Sequence, residues 1–176
     1  MTHFGARTAH FGHLSAASRL QSIAMADILL VADLPWVADS VRAALAGAGH
    51  DLSVTDDPAG AAALTLAEGV EVVLVDLQVG SMGGMAVARA IRAAVAAAGA
   101  TPPAVALLLD READAFLAGR AAVDGWIRKP FGGFALRHLV ERLAAGRTAD
   151  AGPIRVGAPA GSADTMPDHR GVAQFG

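Results

Sequence analysis

Hydrophobic and polar positions follow two alternating patterns along the central part of the chain. Short apolar runs rich in β-branched residues, such as residues 72–75, predict buried strands. Longer segments with apolar side chains three and four positions apart, such as Val87, Ile91 and Val95, predict helices. Strand and helix patterns alternate five times over residues 27–145, which is typical of a parallel sheet with helices on both faces.

The strand pattern places three polar groups at strand ends. The predicted strands are residues 28–32, 52–55, 72–75, 104–109 and 125–128. Asp33 follows the first strand, Asp76 the third and Lys129 the fifth. In a doubly wound parallel sheet of order 2-1-3-4-5, the first and third strands are neighbours, so both carboxylates face one crevice. Two carboxylates and a backbone carbonyl are oxygen ligands suited to Mg²⁺, and Lys129 is placed to neutralise a phosphoryl group.

The two ends of the chain lack this pattern. Residues 1–25 contain three histidines, and an acid-free composition faintly similar to a transit peptide. We interpret this segment as a disordered extension or as the product of a start codon upstream of a true start at Met25, and the histidines as no metal site. Residues 146–176 include nine glycines and prolines and predict a disordered tail, which leaves a single domain over residues 26–145.

Composition narrows the function classes further. The chain of 176 residues has no cysteine, which excludes disulfides and thiol nucleophiles and favours a reducing compartment such as the cytoplasm. The net charge of -3 gives no basic footprint for nucleic acid. No apolar run approaches the roughly 18 residues that span a bilayer, so we expect a protein without membrane contact.

Three segments together resemble the receiver domain of two-component response regulators. They are ILLVADLPW at residues 28–36, EVVLVDLQVGSMGG at residues 71–84 and WIRKPF at residues 126–131. The resemblance covers about residues 26–145 and implies a flavodoxin-like fold, a doubly wound five-stranded parallel sheet of order 2-1-3-4-5 with five helices.

The resemblance also implies a role for each matched residue. By it, Asp76 accepts a phosphoryl group from a histidine kinase or phosphotransfer protein, and Asp33, Asp76 and the carbonyl of Gln78 bind Mg²⁺. Lys129 contacts the phosphoryl oxygens, and the bond from Lys129 to Pro130 is a candidate cis peptide. These roles describe a signalling protein whose only chemistry is phosphoryl transfer and hydrolysis at its own aspartate.

Three positions depart from the family pattern. The family carries two acids in succession after the first strand, whereas here the first of them is Ala32, which predicts weaker magnesium binding. The hydroxyl residue expected at the end of the fourth strand aligns with Leu108, or with Leu107 if the gap shifts, and neither can donate a hydrogen bond. The aromatic switch position is Trp126, which is larger than the usual tyrosine or phenylalanine.

Other classes of protein fit the sequence less well. Ser81 lies between a strand and a helix, but a hydrolase elbow needs glycine two residues earlier, where Val79 stands. The turn after the first strand, residues 32–35, has no glycine, and no Gly-Lys-Ser/Thr sequence follows any strand, which argues against nucleotide binding. For Asp76 itself, the simpler alternative is a helix cap or a solvated strand end.

The sequence therefore supports two related interpretations. The first is a stand-alone receiver domain that is phosphorylated on Asp76 and acts by binding an unidentified downstream protein. The alternative is a pseudo-receiver that keeps the fold and the partner-binding face but signals without phosphate. Magnesium binding and phosphorylation of Asp76 separate the two.

Overall fold

The computed structural model describes residues 25–80, 82–146 and 154–156. The predictions made for residues 1–24, including their histidines, and for Ser81 concern residues outside these ranges. Within the ranges, no helix combines the length and the apolar character that crossing a membrane requires.

The described strands form one parallel sheet in the order β2-β1-β3-β4-β5-β6. They are β1 (Asp27–Val31), β2 (Asp51–Thr55), β3 (Val72–Asp76), β4 (Ala104–Leu109), β5 (Gly125–Arg128) and β6 (Ile154–Val156). The predicted order 2-1-3-4-5 is confirmed, and each of the first five strands begins and ends within about one residue of its prediction.

Five α-helices lie in the described ranges, as predicted. They are α1 (Pro35–Leu45), α2 (Ala61–Glu68), α3 (Gly84–Ala98), α4 (Ala115–Arg120) and α5 (Gly133–Ala144), and a 3₁₀ turn, Glu112–Asp114, leads into α4. By sequence, Asp57-Pro58 predicts a helix start, with a capping aspartate followed by proline at the first helical position, but the pair instead forms a turn. Asp57 Oδ1 accepts a hydrogen bond from the N–H of Ala59 at 2.9 Å, so α2 begins only at Ala61.

Two apolar layers cover the two faces of the sheet. Because side chains alternate along a strand, Leu30, Leu74 and Leu108 lie on the face covered by α1 and α5, and Val75 and Leu107 on the face covered by α2, α3 and α4. The central strand β3 is buried along its whole length. Its continuous apolar sequence therefore reflects a strand covered on both faces.

The sixth strand differs from the prediction of a disordered tail over residues 146–176. Ile154–Val156 pairs in parallel with β5, with Gly125 opposite Ile154 and Ile127 opposite Val156. The glycine and proline content dominated the prediction, but the short sequence Ile-Arg-Val favours a strand, and the edge of β5 offers unpaired backbone groups. Residues 147–153 and 157–176 lie outside the described ranges.

Phe131 and Phe134 are large apolar residues, which predicts a place in the core for both, but Phe134 lies at the surface. It is 79% exposed in the first turn of α5, where its ring stacks on His138 at a centroid distance of 6.2 Å. Phe131, for which the core was also predicted, is partly buried against the α1 and α5 layer. Ala113, Phe116 and Leu117 have the spacing that predicts the apolar face of a fourth helix, but Phe116 is 68% exposed on the short helix α4.

Candidate functional site

Asp76 is the last residue of β3, and its carboxylate is fully buried. Its Oδ1 accepts a hydrogen bond from Nζ of Lys129 at 2.8 Å and another from the backbone N–H of Gln78 at 3.2 Å. Its Oδ2 is buried and has no hydrogen-bond partner among the described residues. An unsatisfied charged oxygen at a buried position is costly, so this atom is the natural point for an external group to bind.

Lys129 follows β5 directly and is positioned by the sheet. Its backbone N–H donates to the carbonyl of Leu109 at 2.7 Å, which continues the pairing of β4 with β5. Its side chain is 5% exposed, and the ammonium group contacts both Asp76 and Asp110, the latter at 3.1 Å. The peptide bond between Lys129 and Pro130 is cis.

Asp33 lies on the solvent side of the same site. It is two residues beyond the end of β1 and is exposed, and its Oδ2 accepts a hydrogen bond from the N–H of Gly80 at 2.9 Å. Gly80 belongs to the loop that leaves β3, as does Gln78, whose side chain is exposed. Asp33 therefore contacts the loop of Asp76, and the structure brings Asp76, Gln78 and Lys129 into direct contact.

Two apolar side chains stand where the family pattern has polar ones. β1 and β3 pair through Val31 and Val75, so the next residues in line are Ala32 and Asp76, and Ala32 is 4% exposed. On the other side of β3, Leu108 is opposite Asp76 in the strand register and fully buried. Neither side chain can donate a hydrogen bond or bind a cation, so Asp76 has apolar neighbours on both adjacent strands.

Trp126 lies on the other face of the sheet from this site. It is opposite Leu107 in the β4–β5 pairing and packs in the layer covered by α2, α3 and α4, with 4% of its surface exposed. Asp76 and Lys129 continue the opposite face. The indole of Trp126 is therefore buried on the opposite face of the sheet from the carboxylate of Asp76.

Two residues of the site were missed by sequence reasoning. Asp110 follows the last residue of β4 and contacts Lys129; its position at a strand end was the available signal, the same one that identified Asp33 and Asp76. Trp36 is a large apolar residue, for which packing is the simplest prediction from sequence, but it is 52% exposed. Nζ of Lys129 lies 5.3 Å from the centroid of its ring, a cation–π arrangement that no sequence pattern indicated.

The donor set at this site is compatible with a magnesium ion. The carboxylates of Asp76 and Asp33 and the carbonyl of Gln78 are hard oxygen donors, and Mg²⁺ commonly keeps several waters beside one or two carboxylates. Ala32 contributes no third carboxylate. Among the described residues there is no group of three or more acidic, histidine or cysteine side chains that would form a richer metal site.

The comparisons with known proteins bear on the fold. No family model matches the chain, and no curated protein matches it by sequence. Chemotaxis protein CheY4 of Vibrio cholerae is a structural match with a TM-score of 0.58 and 21% identity, over 68% of this chain and 99% of that one. The Saccharomyces cerevisiae Ssk1 receiver domain, solved with the phosphotransfer protein Ypd1, matches with a TM-score of 0.63 and 16% identity, over 73% and 95%.

A third match carries a metal ion. The receiver domain of a sensor histidine kinase from Pseudomonas aeruginosa has a TM-score of 0.60 and 21% identity, over 69% of this chain and 99% of that one, and a magnesium ion is coordinated in its active-site cleft. The described part of this chain therefore has the receiver-domain fold of two-component response regulators. The resemblance read from the sequence motifs is confirmed at the level of that fold.

Proposed function

We propose that this protein is a receiver domain that accepts a phosphoryl group on Asp76 in two-component signalling. One observation carries the proposal. The buried carboxylate at the end of the central strand has one oxygen bound to the ammonium of Lys129 and the other without a partner among the described residues. One oxygen is thus oriented and charge-balanced, while the second is available as a nucleophile.

The transfer step uses these two atoms. Oδ2 of Asp76 attacks the phosphorus of a phosphohistidine, the P–N bond breaks, and its electron pair returns to the imidazole as the acyl phosphate of Asp76 forms. Lys129 is within reach of the added phosphoryl oxygens, because its Nζ is already 2.8 Å from Oδ1. Mg²⁺, held by Asp33, Asp76 and the carbonyl of Gln78, would supply further positive charge at the transferring group.

We propose a histidine kinase or a histidine phosphotransfer protein as the donor. The structural neighbours include a receiver domain in complex with a phosphotransfer protein and a receiver domain of a sensor kinase, which supports this class of partner. The downstream protein has no signature in the chain. The cytoplasmic location expected from the sequence stays a prediction.

A second candidate function is favoured by the neighbours of Asp76. Ala32 provides no metal ligand and Leu108 no hydroxyl, and Lys129 is already paired with two carboxylates. A pseudo-receiver that binds its partner without phosphate would tolerate all three features. Phosphorylation of the purified protein separates this candidate from the first.

The experiment is intact-mass analysis after incubation with acetyl phosphate and Mg²⁺. We expect a single phosphoryl adduct on the full chain and none on Asp76→Asn, which removes the nucleophile but keeps the shape of the side chain. Asp39→Asn is the matched control, because Asp39 is exposed on α1 and pairs with Arg42, so its adduct is expected to persist. A folded protein that forms no adduct in excess Mg²⁺ would support the pseudo-receiver.

A further inference from the structure

Asp110 lies on the same side of the sheet as Asp76 and shares its lysine. Leu108 is opposite Asp76 and faces the layer of α1 and α5, and Asp110, two residues later, continues that face past the strand end. Its Oδ1 is 3.1 Å from Nζ of Lys129, which is itself 2.8 Å from Oδ1 of Asp76. The backbone fixes this arrangement, because the N–H of Lys129 donates to the carbonyl of Leu109.

Lys129 is the only lysine of the chain, so no other lysine can take its place at the site. Its ammonium donates a hydrogen bond to Asp76, forms an ion pair with Asp110 and lies over the ring of Trp36. Arg128, the neighbouring cation, points to the opposite side of β5, where its nearest acidic partner is Glu112 at 4.0 Å. Among the described residues, the site around Asp76 therefore has one positive charge, on Lys129, beside the carboxylates of Asp76, Asp110 and the nearby Asp33.

We infer that Asp110 is a positioning residue that draws Lys129 away from an incoming phosphoryl group and slows phosphorylation of Asp76. The inference rests on the proposed function and concerns the regulation of the same site. When the acyl phosphate forms, its oxygens compete with Asp110 for Lys129. The carboxylate of Asp110 also repels the phosphoryl dianion as it approaches Oδ2.

The chemical step used for the test is transfer from acetyl phosphate. Oδ2 of Asp76 attacks phosphorus, the bond between phosphorus and the acetyl oxygen breaks, and acetate leaves with the electron pair. Asp110 takes no part in bond making. Its influence is electrostatic and acts through the position of Lys129, so a change at Asp110 is expected to alter the rate of the step and to respond to salt.

The experiment measures the initial rate of adduct formation on the full chain and on Asp110→Asn and Asp110→Ser. Both substitutions remove the charge, and the exposed position of Asp110 makes loss of the fold in both unexpected. We expect the rate to rise by about five- to tenfold, allowing for the partial exposure of Asp110. Asp39→Asn removes the same charge from α1 and is expected to leave the rate unchanged.

Ionic strength separates the electrostatic role from a purely structural one. The advantage of Asp110→Asn is expected to shrink by about half or more between 0.05 M and 0.5 M salt, because the Debye length falls over this range. A double-mutant cycle of Asp110→Asn and Lys129→Met, measured by urea unfolding, gives the strength of the contact between Asp110 and Lys129 in the absence of phosphate. Each variant changes the unfolding equilibrium constant by some factor. The factor for the double variant is expected to be about fivefold smaller than the product of the factors for the two single variants.

The outcomes are distinct. An equal or slower rate in both folded Asp110 variants, with an adduct on the unaltered chain, would overturn the inference and leave the phosphoacceptor role standing. A salt-independent increase would also overturn it. Failure of every chain to form an adduct, with the proteins folded, would overturn the proposed function and the inference built on it.

Discussion

At the residue scale, the chemistry of Asp76 depends on which side chains stand beside it on the adjacent strands. The register places Ala32 next to it on one side and Leu108 on the other, both buried. Lys129 is the only cation in contact with its carboxylate within the described part of the chain. The site thus combines a carboxylate fixed by two hydrogen bonds with one metal-binding carboxylate and one hydroxyl fewer than the family pattern provides.

Restoring an acid at position 32 is expected to strengthen magnesium binding. Ala32→Asp adds a carboxylate on the face of Asp76, so the affinity for Mg²⁺ is expected to rise about tenfold. Without the ion, the new buried charge is expected to lower the free energy of unfolding by about 2 kcal/mol. Titration calorimetry and urea unfolding with and without Mg²⁺ measure the two effects, and Trp36, which faces Lys129, offers a fluorescence signal for the same titration.

Ala32→Asn is the matched control for this substitution. It has nearly the size of aspartate without the charge and is expected to bind Mg²⁺ no better than the unaltered chain. Equal affinities of the aspartate and asparagine variants would mean that position 32 does not face the metal-binding side of Asp76.

At the scale of elements, the start of α3 packs directly on the exit of β3. A Cβ on Gly84 would lie 2.5 Å from the carbonyl oxygen of Asp76 and 2.9 Å from Cα of Leu77, both backbone atoms that cannot move aside cheaply. The N–H of Gly84 also donates to the carbonyl of Leu77. Glycine at this position allows the helix to begin against the strand end that carries the phosphoacceptor candidate.

Gly84→Ala is therefore expected to lower the free energy of unfolding by about 2 to 3 kcal/mol. Gly119→Ala is the matched control, since Gly119 lies within α4 and a Cβ there meets nothing within 4 Å. That substitution is expected to raise the free energy of unfolding by about 0.5 to 1 kcal/mol. Urea denaturation measures both, and equal effects at the two positions would contradict the close packing of α3 on β3.

At the scale of the whole molecule, the sheet gains a strand from the end of the chain. Ile154–Val156 pairs with β5, which also carries Trp126 and leads into Lys129. In a five-stranded sheet β5 would be an edge with unpaired backbone groups. The sixth strand covers this edge of the sheet.

A chain that ends at Gly146 is expected to keep its fold, because both apolar layers lie before that residue. Loss of a three-residue strand is expected to lower the free energy of unfolding by less than about 1 kcal/mol, since few hydrogen bonds are lost and little chain is ordered. Amide hydrogen exchange in β5 is expected to become faster. A chain that ends at Gly157 keeps β6 and is the control; equal exchange in the two would contradict the pairing of β6 with β5.

The sequence by itself determined the order of elements and the strand-end groups. Periodicity of the apolar residues is a local property, so it predicted five strands, five helices and the faces that they bury. Because the carboxyl ends of parallel strands meet at one edge, the same pattern predicted that Asp33 and Asp76 face one crevice near Lys129. In the structure Lys129 contacts Asp76, and Asp33 contacts the loop that follows Asp76. The start of α2 was misplaced because a turn around Asp57 competes with the helix.

Only the tertiary structure decided how Lys129 divides its contacts. Its pairing with Asp110 and its approach to Trp36 join residues far apart in the chain, and such contacts depend on register and side-chain rotamers that periodicity does not encode. The unpartnered Oδ2 of Asp76 has the same origin, since it results from what three strands place around one carboxylate. The sixth strand likewise forms only because folding leaves an edge of β5 for Ile154–Val156 to pair with.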